Sequence, residues 1–130
     1  MSEEFKVEIV NPDKSFLSKE DVQEVVVPAF EGDMGILKDH ISIISFLKPG
    51  ILRINAKSAE EEYYIEDGII EFKDNCLSVL TSFIVNLKQI EKNKIQELLK
   101  TAEEESNKSE INDQTKYLLD QKIEVLRSIN

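Results

Sequence analysis

The pattern of apolar residues divides the chain into two parts. Up to about residue 85, apolar and polar side chains alternate with a period of two, as in the run Phe5, Val7 and Ile9. The same alternation recurs at Ile41 and Ile43, Tyr63 and Ile65, Ile70 and Phe72, and Leu77 and Val79. This period is typical of half-buried antiparallel strands. Short strands separated by frequent turns predict a β-sandwich or a barrel.

Turn residues separate the predicted strands. The glycines all fall at predicted turns: Gly32, Gly35, Gly50 and Gly68. At Gly50 the preceding Pro49 suits the first central position of a turn, and we expect the glycine to take a positive φ. The pair Asp74 and Asn75 predicts a two-residue β-hairpin.

The period changes near residue 86. Asn86 and Gln89 have the spacing of a capping box, which marks a helix start. Apolar residues then recur at helical spacing in two stripes, one with Leu87, Ile90 and Leu98 and another with Ile111, Leu118 and Val125. The pattern predicts a β-sandwich domain over residues 1–86 and an antiparallel helical hairpin over 87–130, which is a mainly β chain with an α appendage (α+β). Each stripe must face the other helix, the sandwich or another protein.

The charge of the chain excludes several partner classes. Its net charge of −10 disfavours nucleic acid and anionic lipid as direct partners. Residues 1–86 hold 8 basic and 17 acidic side chains, whereas residues 87–130 hold 8 and 9. The sandwich is therefore the acidic part.

No apolar run approaches the ~20 residues of a membrane span, and the acidic N-terminus resembles neither a signal nor a transit peptide.

Residues for catalysis are scarce. The four scattered glycines cannot form a phosphate-binding loop, and one histidine cannot build a histidine metal site. Cys76 and His40 could in principle form a nucleophile–base pair, but Cys76 is more simply interpreted as a small core residue. We expect neither catalytic residues nor a metal, which favours a structural or coupling protein.

Two segments carry a resemblance to a known family. Residues 31–40 read Glu-Gly-Asp-Met-Gly-Ile-Leu-Lys-Asp-His, and an apolar strand then leads to Lys-Pro-Gly at 48–50. Residues 64–72 read Tyr-Ile-Glu-Asp-Gly-Ile-Ile-Glu-Phe. In this order and spacing they resemble the epsilon subunit of F-type ATP synthases, which is homologous to the mitochondrial delta subunit.

The resemblance implies a ten-stranded β-sandwich followed by a helical hairpin, and a non-catalytic role. Such a subunit belongs to the central stalk of the rotor, where it binds the gamma subunit and the c-ring and couples proton transport to ATP synthesis. It would be a peripheral protein on the cytoplasmic face of the bacterial inner membrane, or on the stromal side of the thylakoid if plastid-encoded.

The resemblance also implies site residues. Glu31, Asp33 and His40 would contact the c-ring loops, with the carboxylates facing basic residues. The alternative is that Glu31 and Asp33 are ordinary turn residues and that His40 caps a strand. Lys38 and Asp39 replace the Pro-Gly that the family usually has before the histidine, so the turn must form without proline's fixed φ.

Some family members bind regulatory ATP at the start of the first helix through an Asp and an Arg. The matching positions here are Lys88 and Glu91, whose charges are reversed. A carboxylate at the second position would repel phosphate, so we expect no ATP and no other cofactor.

The hairpin has two possible roles under the resemblance. It could reach transiently into the catalytic alpha/beta hexamer and restrain ATP hydrolysis, or it could be a permanent brace on the sandwich. Outside the family, the alternatives are a stand-alone β-sandwich binding module and an enzyme. The lack of Trp disfavours the first, and the lack of a catalytic constellation disfavours the second. Within the family, the homologous organelle subunit is a further alternative.

Overall fold

The computed structural model describes residues 3–12, 14–108 and 110–129, with the side chains of residues 14 and 15 left aside. Met1, Ser2 and position 109 of the predicted inter-helix loop lie outside the described residues. In the described part the order is β1 (Phe5–Asn11), β2 (Lys14–Ala29), β3 (Gly32–Ile36), β4 (Ile43–Leu47), β5 (Gly50–Ala56), β6 (Glu60–Ile65), β7 (Gly68–Lys73), β8 (Cys76–Leu80), β9 (Ile84–Asn86), α1 (Lys92–Ser106) and α2 (Asp113–Ile129).

The strand β2 belongs to both layers of a β-sandwich. Its first half pairs with β1, where Val22 lies opposite Phe5. Its second half runs between β3 and β5, where Val25 lies opposite Ile36 and Ile54. A register shift between Val22 and Glu24 marks a bulge, which lets a strand bend from one layer to the other.

The two layers follow from the strand pairing. The first layer has the order β2 (first half), β1, β8, β7 and β4, and the second has the order β3, β2 (second half), β5, β6 and β9. Counting the halves of β2 separately gives the ten strand segments that the resemblance implies. The predicted fold class, a β-sandwich followed by a helical hairpin, is confirmed.

The core lies between the layers and receives every second residue of each strand. Phe5, for example, meets Phe72 edge to face, with ring centroids 5.6 Å apart. The prediction fails at Ile41, which is 76% exposed and lies in irregular backbone just before β4. The buried apolar core residues are Phe5, Val7, Ile9, Val22, Val25, Val27, Ile36, Leu47, Leu52, Ile54, Ala56, Tyr63, Ile65, Ile70, Phe72, Leu77, Val79 and Ile84.

Two turn predictions have different outcomes. Asp74 and Asn75 have φ of 52° and 56°, as a type I′ hairpin requires. Gly50 does not have the expected positive φ, since among the described glycines only Gly32 does, with φ 131°. Gly50 is needed for a different reason: a Cβ there would lie 2.5 Å from Cβ of Pro28.

The first helix begins later than predicted. Asn86 ends β9, and its Oδ1 accepts a hydrogen bond from the Lys88 N–H at 2.8 Å. Its carbonyl oxygen accepts bonds from the N–H groups of Gln89 and Ile90. The helix starts at Lys92, after the extended residue Glu91. The capping-box prediction was wrong because Asn86 closes a turn between β9 and α1 instead of starting the helix.

The hairpin lies against the outer face of the second layer. Ile95 of α1 and Leu126 of α2 pack with Tyr64 of β6, which is fully buried beneath them. Further along, Ala102 packs with Leu119 and Ile123 and holds the two helices together. The hairpin therefore buries its apolar stripes partly against its own helices and partly against the sandwich.

Candidate functional site

The outer face of the first layer carries an exposed row of apolar side chains. Val10 lies opposite Leu80, Leu80 opposite Ile69, and Ile69 opposite Phe46, so the row crosses four adjacent strands. Ile44 lies two residues along β4 on the same side and is 67% exposed. We call these five residues the apolar face. Such a continuous exposed patch marks an interaction site on a protein surface.

The rest of this layer's outer surface is polar. The next row across the strands contains Glu8, Ser78 and Glu71 and ends at Ile44, and the row beyond it contains Lys6, Cys76 and Lys73. Lys6 Nζ lies 2.8 Å from Glu8 Oε1. The apolar face therefore occupies one end of this layer's outer surface, and mainly polar and charged side chains occupy the other end.

A groove of about 610 Å³ continues the apolar face toward the hairpin. Phe30, at the β2–β3 turn, and Leu118 of α2 both line it. Its full lining is Pro12, Phe30, Phe46, Leu47, Glu66, Asp67, Gly68, Ile69, Leu80, Thr81, Ser82 and Leu118. Both the sandwich and the hairpin thus contribute to one apolar depression.

The predicted c-ring residues lie in two separate places. Glu31 and Asp33 are exposed together at the β2–β3 turn, next to Gly32. Through Ala29 this turn adjoins the end of β4 and β7 at Leu47 and Gly68.

His40 lies at the other end of these strands. Its ring meets Phe72 edge to face, with centroids 5.9 Å apart. Gly68 and Phe72 are four residues apart on β7, about 13 Å along an extended strand. The structure therefore brings Glu31 and Asp33 together and does not bring His40 to them, because the whole of β3 separates the turn from the histidine.

Side chains close the His40 loop where the family usually has proline. Asp39 has φ 66°. Its N–H donates to Asn75 Oδ1 at 2.7 Å, and the Asn75 side-chain amide donates back to Asp39 Oδ1 at 3.0 Å. This reciprocal pair ties the loop to the β7–β8 turn.

The structure does not support a Cys76–His40 pair. Cys76 is half-buried and takes an outward position on β8, between Lys6 and Lys73, whereas Leu77 points inward. His40 instead lies against the inward-facing Phe72. The interpretation of Cys76 as a core residue is also wrong.

The predicted tail residues occupy three environments. Leu87, Ile90, Leu98 and Val125 pack in the cluster around Tyr64. Ile111 packs against the cluster of Ala102, Leu119 and Ile123 between the helices. Leu118 lines the groove. Leu87 and Ile90 precede α1, so they are part of the connecting turn and not of the helical stripe.

A polar contact joins the sandwich to α2. Glu66 Oε2 accepts a hydrogen bond from the Tyr64 hydroxyl at 2.9 Å and lies 2.8 Å from Lys122 Nζ. Burial raises the pKa of the Tyr64 phenol, and the neighbouring Glu66 carboxylate raises it further, so the phenol remains a donor. Nothing in the sequence pattern singled out Glu66 or Lys122.

A second carboxylate network lies at the edge of the core. Glu61 accepts a hydrogen bond from the Tyr63 hydroxyl. Its Oε1 also forms an ion pair with Lys19 Nζ, 2.7 Å away. The bond from Lys19, and after it the bond from Tyr63, lowers the pKa of Glu61. This network stabilises the charged form of Glu61 in the folded chain.

The segment compared with the ATP-binding relatives borders a smaller depression of about 470 Å³. Glu91 and Lys94 line it together with Phe16 and Ile90. Lys88 is exposed outside this lining.

Within the described ranges, no group of three or more His, Cys, Asp or Glu side chains could hold a metal ion. The described helices include none with the length and apolar character that a bilayer span needs.

The chain combines an acidic β-sandwich that carries an apolar face with a hairpin that shares a groove with it. These features define a class of protein, one that binds partners through preformed surfaces.

Comparison with known proteins identifies the family. The family model of the ATP synthase delta/epsilon chain β-sandwich domain matches residues 4–87. The ATP synthase epsilon chain of Pelagibacter ubique strain HTCC1062 is 73% identical over 130 residues, which cover 100% of both chains. The epsilon chain of Dichelobacter nodosus strain VCS1703A is 38% identical over 104 residues, 79% of this chain and 72% of that one. The chain therefore belongs to the ATP synthase delta/epsilon chain family, and the resemblance stated from the sequence is confirmed.

Solved structures show the same fold. A chain in the cryo-EM structure of the Euglena gracilis mitochondrial ATP synthase OSCP/F1/c-ring superposes with a TM-score of 0.75 at 22% identity, covering 98% of this chain and 79% of that one. A chain in the Tetrahymena thermophila mitochondrial central stalk and c-ring structure gives 0.66 at 15% identity, covering 95% and 93%. The fold thus extends over the hairpin as well as the sandwich.

Proposed function

We propose that this chain is a non-catalytic central-stalk component of a proton-translocating ATP synthase. It links the gamma subunit to the c-ring and so couples proton transport to ATP synthesis. The observation that carries this proposal is the apolar face, because an acidic single chain with five exposed, contiguous apolar side chains needs a protein partner to cover them. The chain would lie at the cytoplasmic face of the bacterial inner membrane, where these partners hold it.

The apolar face is the proposed gamma-binding surface. Val10, Ile69 and Leu80 are 40%, 40% and 50% exposed, and Phe46 is 58% exposed, so each can bury further area. The core of a stable interface is depleted of charge, and this row contains no charged side chain and one aromatic residue, Phe46.

A titration of the purified chain with purified gamma subunit tests this surface. We expect saturable binding by the wild-type chain and a large loss with Ile69→Asp, which introduces a charge at the centre of the row. Ser78→Asp is the matched control, since Ser78 faces the same side outside the apolar row. Equal binding by both variants would contradict the assignment and would favour a binding module with another partner.

The acidic β2–β3 turn is the proposed c-ring contact. Glu31 and Asp33 flank Gly32 and are both exposed, which suits a basic loop on the partner. We leave His40 out of this proposed contact, because its ring lies against Phe72 at the other end of these strands.

Charge reversal tests the c-ring contact in the assembled enzyme. We expect Glu31→Lys/Asp33→Lys to weaken attachment of the catalytic sector to membranes. Glu20→Lys/Glu60→Lys makes the same charge change at two exposed positions away from the turn and should have no effect. Normal attachment and coupling in the first variant would exclude this contact.

The hairpin is the proposed restraint on ATP hydrolysis, acting transiently on the alpha/beta hexamer. Its docking cluster around Tyr64 is separate from the sandwich core, which allows it to leave without unfolding the sandwich. We place the domain boundary between residues 86 and 87, with 87–91 as the connecting turn. Deleting residues 92–130 should raise hydrolysis by the assembled enzyme while coupling persists, whereas unchanged hydrolysis would reduce the hairpin to a brace.

A further inference from the structure

The hairpin contributes one side chain to the groove. Leu118 lines the groove, and Lys122 follows it by four residues, so both lie on the same face of α2. Lys122 binds Glu66, which also lines the groove. The ion pair therefore lies one helical turn from the α2 side chain that lines the groove.

The Glu66 carboxylate is positioned from the sandwich side. It accepts a bond from Tyr64, whose ring is fully buried below the hairpin. The Lys122 and Glu66 side chains keep only 21% and 22% of their surface exposed. A charge-assisted contact that is largely shielded from water is stronger than a surface ion pair.

Docking of α2 thus has two consequences at once. It forms the Lys122–Glu66 pair, and it brings Leu118 to the groove that Phe30 and Phe46 also line. If α2 separates from the sandwich, the groove loses the Leu118 side chain and Glu66 loses its ion pair with the Lys122 ammonium group.

We propose that the groove couples partner binding to the position of the hairpin. The occupant is the apolar segment of the gamma subunit that covers the apolar face, because Phe46, Ile69 and Leu80 line both the face and the groove. Gamma then binds more tightly to the chain with α2 docked, and the Lys122–Glu66 pair is the latch that holds α2 there. By linkage, bound gamma stabilises the docked hairpin to the same degree.

This inference rests on the proposed function in one respect, the identity of the partner. The latch itself is a property of the isolated chain. Two measurements on the full-length chain therefore separate the two claims: amide hydrogen exchange in α2 without gamma, and the same exchange with saturating gamma.

Hydrogen exchange of the isolated chain tests the latch. We expect Lys122→Met, which keeps the helix and the aliphatic stem but removes the charge, to increase opening of α2 about fivefold. Lys122→Arg restores a cation and should behave as the wild type does. Lys100→Met, an exposed lysine of α1, is the matched control. Exchange in Lys122→Met equal to that of the control would overturn the latch.

Hydrogen exchange with gamma tests the coupling. We expect gamma to slow exchange in α2 of the wild-type chain, and Leu118→Ala to weaken gamma binding about fivefold and to abolish this protection. Tyr117→Ala removes a neighbouring, half-exposed aromatic side chain that lies outside the groove lining, and it should leave both gamma binding and the protection of α2 unchanged. Gamma binding that leaves α2 exchange unchanged, or speeds it, would overturn the coupling and leave the proposed function intact. Failure of the wild-type chain to bind gamma would overturn the partner, and with it the proposed function.

Discussion

The substitution Phe46→Ala measures how much the apolar face contributes to binding. Phe46 is 58% exposed at the end of the row and also lines the groove. A phenylalanine side chain offers about 200 Å², so about 115 Å² is free to be covered by a partner. At roughly 25 cal/mol per Å² this area represents about 3 kcal/mol, of which about 2 kcal/mol is lost when alanine keeps only Cβ. We therefore expect gamma affinity to fall about 30-fold.

The assay is a titration of the fluorescently labelled chain with gamma, accompanied by thermal unfolding of the free chain. The free chain should lose at most about 2 kcal/mol of unfolding free energy and stay folded, since only about 85 Å² of the side chain is already covered. Ile41→Ala is the matched control, because Ile41 is 76% exposed and lies outside the apolar face. A loss of affinity for Phe46→Ala no larger than that for Ile41→Ala would refute the reasoning.

Three further predictions concern stability and ligands. Because its pKa is lowered by folding, Glu61 contributes stability above its ordinary pKa of 4.5, and this contribution is lost as the pH falls through its folded pKa. Glu61→Gln should therefore lower the unfolding free energy by about 1 kcal/mol at pH 7. In denaturant titrations this difference from the wild type should vanish in acid. A difference that does not depend on pH would contradict the ion pair with Lys19. Gly50→Ala should destabilise the sandwich by about 1–3 kcal/mol, because its Cβ would overlap Pro28, and an unchanged melting temperature would show that the two strands separate easily. Calorimetric titration with MgATP should show no binding, since Glu91 carries a carboxylate at the position that matches the Arg of ATP-binding family members, and micromolar affinity would refute this.

Local periodicity predicted the strands because burial on one face imposes a period of two. It failed at Ile41, where a turn stabilised by Asp39 and Asn75 exposes an apolar residue, and the partner in that contact is 36 residues away. The start of α1 was misplaced because an Asn side chain bonds a nearby N–H equally well in a turn and in a helix cap.

The apolar face was readable in principle. Its members follow or precede core residues as apolar doublets, such as Ile69 with Ile70 and Leu80 with Val79. A doublet at a strand end breaks the alternation and places one apolar side chain outward. That these side chains form one row could not be derived, because it depends on the register among four strands.

The Glu66–Lys122 contact could not be predicted from the sequence. Glu66 is one of 26 acidic residues, and Lys122 is one of 16 basic ones. Their meeting depends on where α2 docks on the sandwich, which is decided by the packing of Tyr64 with Leu126 and Ile95.

Photo-crosslinking in the assembled enzyme tests the central claim most directly. A benzophenone amino acid replaces Phe46 in the apolar face, and the same group at Glu104, exposed on α1, serves as the reference. On irradiation, we expect the Phe46 position to form a covalent adduct with the gamma subunit in high yield. Adducts with other subunits alone, or a gamma yield no greater than from Glu104, would contradict the account of this chain as a central-stalk component bound to gamma through its apolar face.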